Sequence, residues 1–163
     1  MQLNWVDYAS IGFVAVVAAI QFLRATRNFS RVLYETIFFV GAAVLASMLF
    51  KQVHALTHIS YAVSFLALFL ASAALGVVLA ALLNIVAGFS FGAFGYLFGF
   101  ILGIGCGYAV GHVAIRTPYI AFAYKNPQFL DAVRRSWMAR DLLFFRTFVE
   151  LLAILRNARW LSI

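Results

Sequence analysis

Three histidines, His54, His58 and His112, are the side chains of this chain best suited to hold a transition metal. Neutral imidazole binds zinc or copper, and three imidazoles with an open position would make a metal centre. His54 and His58 stand four residues apart, on one face if their segment is helical. The chain layout puts the end of a second span and the end of a fourth on the same membrane side, so His112 can approach that pair. The same residues also suit a membrane–water boundary, where polar side chains meet lipid headgroups. That role is the expected one, and no metal or other cofactor is assigned.

The acids are few. Asp7 follows Asn4 by three residues. In a helix cap of that spacing, Asn4 receives backbone N–H groups and the carboxylate sits at the positive helix end. Glu35 follows Arg31 by four, which suits an ion pair on one helix face. Asp7, Glu35 and Asn84 are also polar groups that apolar segments would carry into a membrane, where an inward-facing one marks a proton or cation site. The spacing of Glu35 fits both roles. No GxSxG, HExxH, phosphate-binding glycine loop, CxxC pair or dinucleotide-binding glycine pattern occurs, and no serine or threonine has a partnered base. Cys106 is the only cysteine, so no disulfide can form within one chain. No enzyme activity is expected.

The elements that must position these residues are apolar. The 163 residues are 66% hydrophobic and 10% charged, with a mean hydropathy of +1.01. A soluble domain is about 45–50% apolar and about 25% charged. Five acids and twelve bases cannot cover a soluble body of this length. Four runs, 6–23, 32–50, 59–87 and 89–115, approach or exceed the roughly 20 residues that a span needs. The first has no basic segment before it and no small-residue cleavage pattern after it, so it reads as a retained span. The third is uncharged and longer than a bilayer core of about 30 Å requires, so it must tilt, bend near Gly76 or extend past the membrane. Pro118 is expected to close the fourth. The fold class is therefore all-α, with a four-helix transmembrane domain over 1–118 and an amphipathic membrane-surface tail over 119–163.

From Pro127 onward, Leu130, Val133, Trp137, Phe144, Phe148, Leu151 and Leu155 recur at three- and four-residue steps, with one step of seven after Trp137, and Asp131, Arg134, Arg135, Arg140 and Arg146 lie between them. That pattern is an amphipathic helix lying in the membrane interface. Trp137, Phe144, Phe148 and Trp160, with Arg134 and Arg135, form its expected lipid or partner surface. A net charge of +7 would suggest nucleic acid in a soluble protein. Here the bases sit in short loops and in the tail, which fits topology signalling and anionic headgroups. No nucleic-acid partner is expected. Arg24, Arg27 and Arg31 favour a cytoplasmic first loop and an external N-terminus. The basic tail pulls the other way, and a tail lying flat on lipid is the less constrained of the two.

Gly95, Gly99, Gly103, Gly107 and Gly111 stand four apart without a break. They share one slowly drifting helix face that carries no side chains, so another backbone can approach closely. Each glycine weakens a helix in water by about 0.8–1.0 kcal/mol against alanine. Five in register imply a compensating contact, with another span of the chain, a second copy or a partner.

The opening Asn4-Trp5-Val6-Asp7-Tyr8-Ala9 resembles the start of the colicin V production protein family, small multi-pass proteins of the bacterial inner membrane. Arg27-Asn28-Phe29-Ser30-Arg31-Val32 is similar to that family's Arg-Gly-Phe-x-Arg-Glu between its first two spans. Asn28 replaces the glycine, Val32 replaces the glutamate, and Glu35 follows one turn later. Gly95, Gly99 and Gly103 match the glycines that open the family's fourth span, but Phe91 and Gly92 stand where the family has Asp-Arg. Ser136-Trp137-Met138-Ala139-Arg140 keeps the serine of the family's Ser-x-Leu-x-Pro and loses its proline. The resemblance covers most of the chain in layout and only short patches in residues. It implies a bacterial inner-membrane location and an envelope- or export-related role, and it supplies no biochemical activity. The expected function is a non-enzymatic packing or assembly subunit of a larger membrane complex or homo-oligomer. Its partners would be the lipid bilayer and other membrane subunits or itself. The alternative is a small channel or transporter for an ion or small solute, with Glu35, Asn84 or the histidines facing a wet cavity.

Overall fold

In a bilayer each backbone N–H and C=O must be satisfied within its own segment, which makes helices of long apolar runs. The computed structural model describes residues 3–90, 92, 94–122 and 125–146. Among these the fold is all-helical: α1 (Trp5–Ala25), α2 (Phe29–Thr57), α3 (Tyr61–Val86), α4 (Phe94–Phe122), α5 (Pro127–Arg135) and α6 (Trp137–Phe144). Helices α1 to α4 are long and apolar enough to cross a membrane, as a multi-pass membrane protein requires.

Local chemistry sets the helix starts. Asn4 accepts from the backbone of Val6 and Asp7 at 2.8 and 3.1 Å, and Asp7 accepts in return from the Asn4 backbone at 3.0 Å. Asn28 caps α2 and Ser60 caps α3. Helix α2 ends at His58, whose φ of 56° is left-handed. With 29 residues, α2 is about 43 Å long, more than the core of about 30 Å. Lys51, Gln52 and His54 therefore lie on helix emerging from lipid, not in the short connection that their polarity suggests. Helix α4 also overruns its expected end. It passes through Pro118 to Phe122, so the boundary at 118 falls inside a helix. A proline there forfeits one helical hydrogen bond. Ile115, Tyr119 and Ile120, on both sides of it, pack into the core and hold the helix together.

Helix α4 is central: it touches α1, α2, α3, α5 and α6, whereas α1 and α3 do not meet. The α1–α4 contact is backbone on backbone. A Cβ placed on Gly103 would stand 2.6 Å from the Ala18 carbonyl oxygen, and one on Gly107 would stand 2.8 Å from that of Val14. Gly99 lies against Ala25 and Gly111 against Val14 and Leu142. On the other side of α4, Ala43, Ala46, Phe65, Phe69 and Ala109 form the main core between α2, α3 and α4. Helix α3 runs unbroken through Gly76, which lies against Phe38 of α2.

The amphipathic tail is two short helices among the described residues, meeting at Ser136, which ends α5 and caps α6. They dock on the bundle end: Val133, Ala139 and Leu143 pack with Val6, and Leu142 packs with Val14. Phe148, Leu151, Leu155 and Trp160 lie outside the described residues.

Gly103→Leu should lower stability by about 2–3 kcal/mol through overpacking. Gly95→Ala, whose added Cβ would meet Phe29 only at 4.0 Å, should change it by less than about 0.5 kcal/mol. Unfolding in detergent micelles checks both.

Candidate functional site

Among the described residues, the buried polar side chains Asp7, Ser136, Gln21, Ser30, Glu35 and His112 gather in three clusters. The first is at the start of α1. Asp7 is 1% exposed. Its Oδ1 accepts from Ser136 Oγ at 2.7 Å and from the Met138 backbone at 3.0 Å, while Oδ2 serves the Asn4 cap. Asn4 Nδ2 donates to the Ala132 carbonyl at 2.8 Å. The carboxylate thus sits at the positive ends of α1 and α6 together, and clasps the tail to the first span. The sequence accounts for the cap; the Ser136 partner lies 129 residues away.

The second cluster is at the opposite end. Glu35 is also 1% exposed. Arg31 Nε donates to its Oε1 at 3.0 Å, the i,i+4 pair that the spacing allows. Arg24 of α1 adds the partner that spacing alone does not show. Its Nη2 donates to Oε1 at 2.8 Å, and its Nη1 lies 2.6 Å from Oε2, an ionic contact outside hydrogen-bond geometry. Arg24 Nη1 also donates to Gln21 Oε1 at 3.2 Å, and Gln21 Nε2 donates to the Cys106 sulfur at 3.3 Å. Arg27 remains exposed beside them, in a cleft of about 500 Å³ shared with Asn28, Ser30 and Asn84. Ser30 Oγ donates to Asn84 Oδ1, tying α2 to α3.

The third cluster surrounds His112, which is fully buried. Its Nδ1 donates to the Leu142 carbonyl at 2.6 Å, leaving Nε2 as acceptor. Ser47 Oγ lies 3.0 Å from Nε2, and Arg116 Nη1 reaches both Nε2 at 3.2 Å and Ser47 Oγ at 2.9 Å. Phe145 stacks on the imidazole at 4.1 Å between ring centres. Ser47 thus has a base beside it, contrary to the reading of the serines as unpartnered, because residues 65 apart in sequence meet only across α2 and α4; the two stand at the distance of a nucleophile and its base. The Arg116 cation occupies the lone pair that would take the serine proton, and Ser47 Oγ also donates to the Ala43 carbonyl at 2.8 Å. The network joins α2, α4 and the end of α6.

The three histidines do not converge, and no group of three or more metal-ligating side chains occurs among the described residues. His54 is two turns beyond Ser47, about 10 Å along α2. Its ring stacks on Tyr61, while His58 is the α2 cap. Of the expected tail surface, Arg134 and Arg135 are exposed, as are Trp137 and Phe144. Arg135 pairs with Asp131 at 2.9 Å. Phe148 and Trp160 are outside the described residues. Arg116 had a sequence signal that reading the runs missed: it is a lone base directly after the fourth apolar run.

Comparison with protein-family models, curated proteins and solved structures gives no match. The likeness to the colicin V production family rests on the residues quoted above.

Asp7→Ala should strand the Ser136 hydroxyl and two backbone donors and cost about 2–4 kcal/mol, with faster tryptic cleavage at Arg134 and Arg135. Combined with Ser136→Ala it should show a coupling of about 1–2 kcal/mol. Glu35→Gln should cost roughly 1–3 kcal/mol in thermal unfolding, less than a fully buried pair because both arginines are over a third exposed.

Proposed function

We propose that this chain is a non-enzymatic assembly subunit of the bacterial inner membrane, working in a larger membrane complex or homo-oligomer with an envelope- or export-related role. The observation that carries the proposal is how the polar groups are used. Both Glu35 oxygens are taken by Arg24 and Arg31, both His112 nitrogens are engaged, and Asp7 holds the tail. Between the end clusters, Ala42, Ala43, Ala46, Phe69, Ala73 and Ala109 pack directly together. A channel or transporter needs polar groups that can exchange partners with water or solute. The glycine face of α4 is spent on α1, so a partner would meet other surfaces. Helix α3 is a fitting one: it is uncharged, and Leu70, Leu75, Val78 and Leu82 face outward.

Orientation follows from the docked tail. Lys51, Arg116, Lys125, Arg134, Arg135, Arg140 and Arg146 lie at the end that carries α5 and α6, against Arg24, Arg27 and Arg31 at the other. A tail fixed to the bundle counts fully in the positive-inside balance. The proposal therefore places the N-terminus and the tail in the cytoplasm, the reverse of what the first loop alone suggests.

The test is the mass of the particle released gently from its native membrane. Additional polypeptides, or several copies of the 18.1 kDa chain, are the expected result. A monomer that passes ions or solutes in liposomes, with flux abolished by Glu35→Gln, would sink the proposal and establish transport.

A further inference from the structure

A cleft of about 550 Å³ opens to the outside between α2, α4 and α6. Its walls are apolar: Val44, Met48, Ile120 and Phe144 are among them. Among the described residues that line it, Arg116 alone is charged. The guanidinium is held in place, with Nη1 on Ser47 and His112 and the Phe50 and Phe65 rings 5.5 and 5.3 Å from its carbon. No carboxylate among the described residues pairs with it, and its Nε and Nη2 donate to no described group. A half-buried guanidinium with spare donors against apolar walls is stabilised by an anion that meets it.

We propose that this cleft binds an anionic phospholipid of the surrounding bilayer, with the phosphate on the free edge of Arg116 and an acyl chain along Val44, Met48 and Ile120. The planar guanidinium presents paired donors that match phosphate oxygens. Arg116 lies six residues before the end of α4, about 9 Å along the helix, which suits the depth at which headgroup phosphates lie. The apolar walls decide between sources of phosphate. A free ion would gain one cation and lose its water against hydrocarbon, whereas a lipid fills the same walls with its chain. Met48 and Phe144 are 69% and 73% exposed, so the cleft is open toward acyl chains.

The experiment is native mass spectrometry of the full chain released from vesicles of equal phosphatidylglycerol and phosphatidylcholine. The chain should retain one phosphatidylglycerol with about tenfold preference, the worth of one charge-assisted contact. Arg116→Gln should reduce that preference to less than about twofold. Met48→Trp, which fills the cleft and leaves the Ser47–His112–Arg116 contacts in place, should lose the retained lipid and decides the matter if Arg116→Gln does not fold. Arg134→Gln with Arg135→Gln should retain the preference. Saturating inorganic phosphate should not displace the lipid. No preference in the unaltered chain, a preference that survives Arg116→Gln or Met48→Trp, one that vanishes with the two tail arginines, or displacement by inorganic phosphate would each overturn the proposal.

Discussion

The backbone of α4 rests on the backbone of α1 at Gly103 and Gly107, and the remaining architecture depends on that approach. Between helices in lipid there is no hydrophobic drive, because acyl chains are as apolar as leucine. Attraction comes from dispersion contacts that are worth little singly and fade within an ångström of extra separation. Side-chain-free crossings let two helices close that gap over several turns. With α1 fixed on one flank, α4 offers its other flank to α2 and α3 and becomes the shared wall of the bundle.

That placement also arranges the polar groups. It brings the start of α1 beside the end of α4, so Asp7 can reach Ser136 and the tail can fold back onto both. At the other end Glu35 meets Arg24 across the α1–α2 turn. In each case a group that would be costly in hydrocarbon is matched by one from a different segment. Arg116 is held differently. Its protein partners are the neutral acceptors Ser47 and His112 and two aromatic rings, so its charge is positioned without being balanced among the described residues.

Docking changes what the tail's charge means. Arginines on a helix lying loosely on lipid bind headgroups on whichever side the chain happens to leave them. Arginines on α5 and α6, joined to the bundle by the Asp7 clasp and by Leu142 against Val14, belong to the transmembrane body. Their weight falls on its orientation.

Composition by itself determined the all-helical, four-span architecture, because a chain this apolar can neither stay soluble nor leave backbone groups unpaired in lipid. Short-range spacing also pointed to the Asn4–Asp7 cap and allowed the Arg31–Glu35 pair, since each joins residues about one helical turn apart. The glycine step showed that a close contact must exist, but α1 as its occupant is a matter of which helix lies alongside. Tertiary structure alone decided the second partners: Arg24 for Glu35, Ser136 for Asp7, and Ser47 and Arg116 for His112. It also kept the histidines apart, because α2 carries His54 two turns beyond the level of His112. Helix ends at Pro118 and Lys51 escaped sequence reading because packing on both sides of the proline, and a helix longer than the bilayer, override local polarity. The physical reason is common to all of these: periodicity reports which side chains share a face of one helix, whereas pairing between helices depends on depth and rotation, which only the packed bundle sets.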